Sequence, residues 1–182
     1  MESDPFVGWL ARPGPRHARA RRAYYSLMLE RIALPRGRVW VAREEGKLLG
    51  AALWAPPHTF EMGARDTLRL LPLMLDIIGF SRMTAVSHAL ESVEVGRPPE
   101  PRWLLTVVGV DPSARRRGIG HALLAPALRE CDEEGAIAVC ETANPDALAF
   151  YARLGFSVVA DRDLSDEVTS WTLVRSTPRE NN

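Results

Sequence analysis

The 182-residue sequence is poor in lysine and has no excess of either charge. Lys47 is its one lysine, so arginine supplies nearly all of the 23 basic residues, and 23 acidic residues balance them. A dedicated nucleic-acid-binding domain usually has a marked positive excess, so the balance argues against a nucleic-acid partner. An arginine bias of this strength is typical of a GC-rich genome, and we expect a bacterial, cytoplasmic protein.

Cysteines and long apolar runs are scarce as well. Cys131 and Cys140 lie in no CxxC pair and near no histidine cluster, which excludes a disulfide framework and a zinc finger; we expect two buried thiols and no metal. The N-terminus MESDPF lacks the basic and apolar regions of a signal peptide. The most apolar stretch, 68–80, contains Arg69, Pro72 and Asp76 and is far shorter than the roughly 20 residues of a membrane span.

Hydrophobic spacing predicts an α/β order of elements. Pro72 lies inside one predicted helix and should kink or split it. The predicted elements are a helix over 13–34, a hairpin of strands 38–44 and 48–56, helices over 64–79 and 81–93, a linker over 96–101, a strand over 103–110, a helix over 118–134, a strand over 136–141, a short helix over 145–154, and strands over 156–160 and 170–175.

The segment RRRGIGHA (115–122), between an apolar strand and a helix, has the chemistry of an anion site. Glycines let a ligand approach the backbone, and the first N–H groups of a helix have no intrahelical partner and lie at the positive end of its dipole. The guanidinium group of arginine can donate two parallel hydrogen bonds to a phosphate. Leu123 replaces the third glycine of a dinucleotide motif, and a Walker loop is absent, so both common nucleotide motifs fail. The spacing predicts a pyrophosphate site; an arginine-rich solvated turn is the alternative.

A second group of residues, downstream of this segment, completes a recognisable pattern. After Arg115-x-x-Gly118-x-Gly120 the chain continues with Asn144, Ala147, Phe150-Tyr151 and Leu154-Gly155-Phe156. In this combination it resembles the GNAT superfamily of acyl-CoA-dependent N-acetyltransferases, and over 38–175 it bears a closer likeness to puromycin N-acetyltransferase-like proteins. The resemblance implies the α/β GNAT fold, a mixed central sheet flanked by helices, with acetyl-CoA as cosubstrate and no metal.

The resemblance also implies one domain over 1–182. Its parts would be an N-terminal helical region (1–35), a β-hairpin (36–57), a helical insert that shapes the acceptor site (58–101) and an acetyl-CoA-binding core (102–176). The N-terminal strand of the family has no counterpart before MESDPFVGWL, so we expect that strand to be missing or the start to be misassigned. Strand 38–44 would then be an open edge.

Cofactor contacts are implied by the same resemblance. The pyrophosphate would bind the backbone N–H groups from Arg117 to Ala122, and the pantetheine would bind a splayed strand, where an N–H also stabilises the oxyanion. Asn144 would bind the cofactor, cap the following helix, or do both. The expected cofactor-binding residues are Val108, Gly109, Val110, Arg115, Arg116, Arg117, Gly118, Ile119, Gly120, His121, Ala122, Asn144, Ala147, Phe150 and Tyr151.

Two residues are expected to handle protons. Tyr151 would be the general acid for the leaving thiolate, a transfer that is uphill by roughly 2 kcal/mol between a phenol of pKa about 10 and a thiol of about 8.5. Glu141, at the end of a strand beside the cofactor, is the candidate base, with a structural carboxylate as the alternative. Weaker candidates for the base are His58, His88, Glu91 and Glu94.

The predicted activity is transfer of an acetyl group from acetyl-CoA to the primary amine of a small molecule, by direct attack through a tetrahedral intermediate. Two alternatives stay open: a protein or peptide N-terminal acetyltransferase, and a non-catalytic acyl-CoA-binding module. The acceptor, the acyl-chain preference, the general base and the oligomeric state, including a possible homodimer, are left open. The arginines over 12–22 are interpreted as a solvated helix face, with nucleic acid or anionic lipid as the alternative.

Overall fold

One six-stranded mixed sheet organises the chain, in the strand order β1-β2-β3-β4-β6-β5. The computed structural model describes residues 4–59, 64–95, 97–98 and 101–176. Strands β3 and β4 are parallel, and the other neighbouring pairs are antiparallel. The strands are β1 (Arg38–Glu44), β2 (Lys47–Ala55), β3 (Arg102–Val110), β4 (Ile137–Thr142), β5 (Ser157–Ser165) and β6 (Val168–Arg175).

Helices cover the sheet, which confirms the predicted α/β fold with a mixed sheet flanked by helices. Within the described residues β1 is an edge strand, as expected. The helices are α1 (Pro5–Leu10), α2 (His17–Ser26) continued by a π-helical turn (Leu27–Ala33) and by α3 (Leu34–Arg36), α4 (Ala64–Ile78), α5 (Met83–Val95), α6 (Ile119–Glu134) and α7 (Leu148–Ala152), with a 3₁₀ turn (Phe80–Arg82) before α5.

Two apolar clusters hold these layers together. The larger one packs α6 and α7 against the sheet and buries Trp54, Trp103 and Leu124 almost completely. The second joins the N-terminal helices to α4 and α5 through a smaller set centred on Leu27 and Ile77. Burial of apolar surface is the main stabilising contribution in both, so the N-terminal helices are anchored by packing rather than by sheet hydrogen bonds.

The break between α4 and α5 lies where the sequence predicted it, between helices expected over 64–79 and 81–93. Pro72 was expected to kink or split its helix, yet α4 is not split there. The carbonyl that Pro72 leaves without a partner belongs to Leu68, whose side chain is 70% exposed, so water can reach that turn. The chain breaks at Gly79, where φ is 85°.

Strand β5 is longer than predicted. The expected strand over 156–160 is observed from Ser157 to Ser165 and continues through Asp161, Arg162 and Asp163. These charged residues occupy an exposed edge strand, where hydrogen bonds to β6 suffice and no apolar face has to be supplied. Of the predicted linker over 96–101, residues 96, 99 and 100 lie outside the described part of the chain.

The length and apolarity of the described helices bear on membrane insertion. None of these helices is by itself long and apolar enough to cross a bilayer. The segments Leu68–Ile78 and Phe80–Val95 reach the required length and composition only as a pair, and they meet at an angle of 97°.

Candidate active site

The parallel strands β3 and β4 separate part-way along their length. Their pairing runs from Arg102–Ile137 to Leu105–Cys140 and then stops. Beyond it, β3 pairs with β2 alone, whereas Glu141 and Thr142 of β4 pair with β6. The sheet therefore opens into a wedge after Leu105, which is the splay expected from the sequence.

Backbone groups of β3 face this wedge. The amide of Asp111 donates to the carbonyl of Leu49 at 2.7 Å, and the register of the two strands pairs Ala52 with Val108 and Gly50 with Val110. Residues of an antiparallel ladder alternate between bonding the partner strand and pointing away from it. Counting from Asp111, the backbones of Val108 and Val110 point away from β2, where an extended ligand can bond them.

A cavity of about 500 Å³ adjoins the wedge. One wall consists of β3 residues 104–110, and a second consists of the end of β4 with α7, including Glu141, Asn144, Ala147, Phe150 and Tyr151. The remaining walls come from α1, α2, α4 and α5. Among the predicted cofactor residues, the segment 116–122 is not part of this lining, so it lies beyond the cavity.

That segment forms an exposed helix N-terminus. Gly118 is the residue before α6 and has φ 78°, a left-handed conformation that favours glycine. The first helical bond runs from the amide of Ala122 to the carbonyl of Gly118 at 3.0 Å, so the earlier amides have no intrahelical acceptor. Arg117 donates to Glu44 at 2.6 Å and lowers the pKa of that carboxyl. Exposed Arg115 and Arg116 precede Arg117 in the same loop.

The second glycine of the motif serves a different purpose. A Cβ at Gly120 would lie 3.2 and 3.3 Å from two ring carbons of Phe150, closer than side chains normally pack. Gly120 therefore lets α6 approach α7. A Cβ at Gly118 would meet nothing within 4 Å, so at that position the backbone conformation is the requirement.

Tyr151 is buried, with 5% of its surface exposed, and it lines the cavity. Its ring makes edge contacts with Phe150 and Phe156, at centroid distances of 5.2 and 5.8 Å. Burial, followed by the charges of Cys140 and Asp4, raises the pKa of Tyr151 well above its ordinary value. The phenol thus keeps its proton at neutral pH, and giving it to a thiolate is more uphill than the ordinary pKa values of the two groups imply.

Glu141 is held in an ion pair. Arg97 donates from Nε to Oε1 at 2.6 Å and from Nη2 to Oε2 at 2.8 Å. Arg97 also contacts Glu94, which in turn contacts Arg102. Because both oxygens of Glu141 accept from one guanidinium, this carboxylate cannot take a proton without giving up that pair, and the geometry fits the structural alternative.

Asn144 lines the cavity and caps the turn that comes after it. Its side-chain oxygen accepts a hydrogen bond from the backbone amide of Asp146 at 3.1 Å, and its backbone amide donates to the Thr142 hydroxyl. In the described residues, the weaker base candidates lie outside the cavity lining: His58, His88, Glu91 and Glu94. His88 and Glu91 pair with each other on the surface.

Comparison with known proteins decides what this arrangement belongs to. Residues 5–156 match the model of the acetyltransferase (GNAT) family. The chain belongs to the GNAT family. It is therefore an acetyltransferase of a family whose members use acetyl-CoA as cosubstrate. Among the described residues of this GNAT domain, no three His, Cys, Asp or Glu side chains come together to hold a metal ion.

Solved structures repeat the fold over most of the chain. A Corynebacterium glutamicum protein described as a histone acetyltransferase and related acetyltransferase is 25% identical, with a TM-score of 0.70 over 100% of this chain and 87% of that chain. The polyamine N-acetyltransferase of Drosophila melanogaster is 18% identical, with a TM-score of 0.67 over 96% and 88% of the two chains. An agmatine N-acetyltransferase is 19% identical, with a TM-score of 0.58 over 76% and 75%.

Sequence reasoning missed several residues of the GNAT cavity. Asp4, Tyr24, Tyr25 and Arg97 line it. Asp4 precedes the predicted helix over 13–34, the two tyrosines lie inside that helix, and Arg97 lies in the predicted linker. The hydroxyl groups of two adjacent tyrosines need polar partners when they are buried, and that was the available signal. No local sequence pattern marked Arg97 as a cavity residue, because its partner Glu141 lies 44 residues further along the chain.

Proposed function

We propose that this GNAT enzyme transfers the acetyl group of acetyl-CoA to the primary amine of a small molecule bound in the 500 Å³ cavity. The observation that carries the proposal is the contact between this cavity and the wedge that exposes the backbones of Val108 and Val110. A pantetheine bonded there brings its thioester beside Tyr151, and the pyrophosphate then binds at the N-terminus of α6.

The chemistry needs few groups from the protein. The amine nitrogen attacks the thioester carbonyl carbon to form the C–N bond, and an amide N–H of β3 stabilises the oxygen as it becomes negative. The C–S bond then breaks, and its electron pair leaves on sulfur. The proton of the amine passes to water, because both carboxylate oxygens of Glu141 already accept hydrogen bonds from Arg97. Tyr151, which keeps its proton, donates a hydrogen bond to the leaving thiolate and protonates it in the final step, and the phenolate regains a proton from water.

The walls of the cavity favour a small acceptor over a peptide. Helices α1, α2, α4 and α5 all contribute lining residues across from the sheet, which supports the proposed role of the 58–101 insert in shaping the acceptor site. A polypeptide substrate needs a groove through which its chain can leave. The similarity to puromycin N-acetyltransferase-like proteins makes aminonucleosides the first amines to be assayed.

A thiol-release assay with acetyl-CoA over a panel of primary amines tests the proposal. Replacing Tyr151 with Phe keeps the buried ring, so we expect turnover to fall by about 10²-fold or more while the affinity for CoA, measured by calorimetry, is unchanged. Thiol release at the wild-type rate in this variant would contradict the role of Tyr151. CoA binding without thiol release from any amine would favour the non-catalytic alternative.

A further inference from the structure

One carboxylate of the cavity wall has no cationic partner in the described part of the chain. The lining there contains two acidic and two basic side chains: Asp4, Glu141, Arg97 and Arg115. Arg97 is bonded to both oxygens of Glu141, and Arg115 belongs to the loop before α6, at the proposed pyrophosphate site. Neither arginine pairs with Asp4, so the negative charge of Asp4 is available to a ligand.

A helix cap holds Asp4 in position. Asp4 precedes α1, and its Oδ1 accepts a hydrogen bond from the Val7 amide at 3.1 Å. Val7 and Leu10 are buried, which anchors α1 against the rest of the chain. The other oxygen, Oδ2, accepts nothing from the described residues, and Asp4 itself is exposed. A cation at Oδ2 therefore forms an ion pair while it keeps part of its water, so the desolvation penalty stays small.

The hydroxyl group of Tyr25 is a second unused polar group of this wall. Tyr25 lines the cavity from α2, and its oxygen is buried without a hydrogen-bond partner among the described residues. A buried hydroxyl without a partner is unfavourable, so a ligand that bonds it gains affinity. Burial, and then the charge of Asp4, raises the pKa of Tyr25 from 10.0 to about 12, so the two groups are close enough to interact. Arg21, whose charge acts in the opposite direction, is not part of the cavity lining.

Aromatic rings complete this part of the cavity. Phe6 and Tyr24 have ring centroids 6.3 Å apart, and Tyr24 contacts Tyr25 at 5.5 Å. The faces of such rings attract an ammonium group, and the rings also pack against a methylene chain. A carboxylate, a phenol oxygen and aromatic rings are together suited to an alkylammonium. A neutral alcohol could bond Tyr25 but would not use the charge of Asp4, and an alkyl end would use neither group.

We infer that the acceptor carries a second protonated nitrogen, separated from the acetylated amine by an apolar spacer and bound by the Asp4 carboxylate and the Tyr25 hydroxyl. An alkylammonium has a pKa of about 10.4, so this nitrogen keeps its proton at neutral pH. Asp4 and Tyr25 are then specificity-determining residues that select diamines over monoamines. The inference rests on the proposed function, since it describes the acceptor of the same site.

The chain offers variants that separate charge from structure. Asp4→Asn removes the charge and keeps the cap, because an asparagine oxygen caps a helix about as well as aspartate does. Tyr25→Phe removes only the hydroxyl group. Glu30→Gln is the matched control, since it removes one negative charge from the π-helical turn that follows α2. Glu30 is exposed and is not part of the cavity lining.

The test compares α,ω-diaminoalkanes of four, six and eight carbons with the ω-amino alcohol and the n-alkylamine of the same length. Calorimetry on the CoA-bound protein at pH 8 measures binding without chemistry, and thiol release from acetyl-CoA measures kcat/KM. At the best length, we expect wild type to prefer the diamine over both analogues by about fivefold or more in both assays. Asp4→Asn and Tyr25→Phe should each weaken diamine binding by about threefold or more, and Asp4→Asn should also lower the preference over the amino alcohol. Glu30→Gln should leave both unchanged.

Equal or tighter binding of the amino alcohol or the alkylamine at every length would overturn the inference, as would absence of diamine binding. It would also be overturned if Asp4→Asn kept the wild-type preference, or if Glu30→Gln lowered it as much as Asp4→Asn does. If thermal unfolding shows that Asp4→Asn does not fold, salt decides on wild type: the diamine preference should fall as ionic strength rises, and a preference independent of salt would refute the ion pair. Failure of the proposed function is a separate result, in which the diamine binds selectively but no amine gives thiol release.

Discussion

Gly118 offers a measurable test of the loop that forms the proposed anion site, because its requirement for glycine is purely conformational. Its φ is 78°, and a Cβ there would meet nothing within 4 Å. An L-residue in this left-handed region costs about 1–2 kcal/mol, and the lower entropy of the unfolded Ala chain offsets about 0.4–1 kcal/mol of that. Gly118→Ala should therefore lower the free energy of unfolding by about 1 kcal/mol.

Two further variants isolate the cause. Gly118→Asn adds a larger side chain but tolerates the left-handed region, so it should cost less than Gly118→Ala. Gly8, inside α1, also has open space around its Cβ position but no positive φ. There the same change to Ala should stabilise the protein by about 0.5–1 kcal/mol, because glycine is a poor helix former.

Urea denaturation measures the free energy of unfolding of the three variants. Titration with CoA shows whether the loop before α6 changes its conformation to avoid the strain. If Gly118→Ala moves the loop, the lost energy appears as weaker CoA binding, up to about tenfold for 1.4 kcal/mol. An Ala variant as stable as wild type that also binds CoA as tightly would refute the conformational argument. So would an Asn variant less stable than the Ala variant.

Two other predictions concern α1, which forms part of the cavity wall, and the buried thiol of Cys131. Arg82 donates to the carbonyls of Trp9, Leu10 and Ala11 at 2.7, 3.4 and 3.2 Å, so Arg82→Ala should loosen α1 and raise the acceptor KM severalfold without weakening CoA binding; an unchanged KM would contradict this. Burial raises the pKa of Cys131 from its ordinary 9.0 to about 12. The unfolded chain releases this proton first, so above pH 9 this thiol alone should lower stability by up to about 1.4 kcal/mol per pH unit. Burial also raises the pKa of Cys140, which adds to the slope, so the fall should be less steep but still present in Cys131→Ala; parallel pH profiles would argue against this.

Local chemistry explains the features that the sequence predicted well. The strand over 103–110 is observed as Arg102–Val110, because a continuous apolar run suits a strand covered on both faces. The helix after Gly118 begins and ends at glycines in the left-handed conformation, Gly118 and Gly135, and both signals are readable in the sequence. Each of these features depends on neighbours within a few residues.

The features that the sequence did not predict depend on contacts between distant segments. Glu141, the candidate base, is one half of an ion pair with Arg97, and no local pattern around either residue predicts this contact. The continuity of α4 through Pro72 depends on how Leu68 faces solvent, which packing decides. The same holds for the tyrosines of α2, whose exposure to a cavity depends on the placement of α4 and α5.

The two halves of the site are held by different interactions, and this has a functional consequence. The loop between β3 and α6 is fixed by hydrogen bonds of Asp111. The Asp111 amide donates to the carbonyl of Leu49 in β2, and the Asp111 carboxylate accepts from the Ser113 amide at 2.9 Å. The proposed acceptor walls depend instead on packing of the N-terminal helices against α4 and α5. Substitutions in those helices should therefore change which amine is accepted and leave CoA affinity intact, and a parallel loss of CoA affinity would contradict this separation.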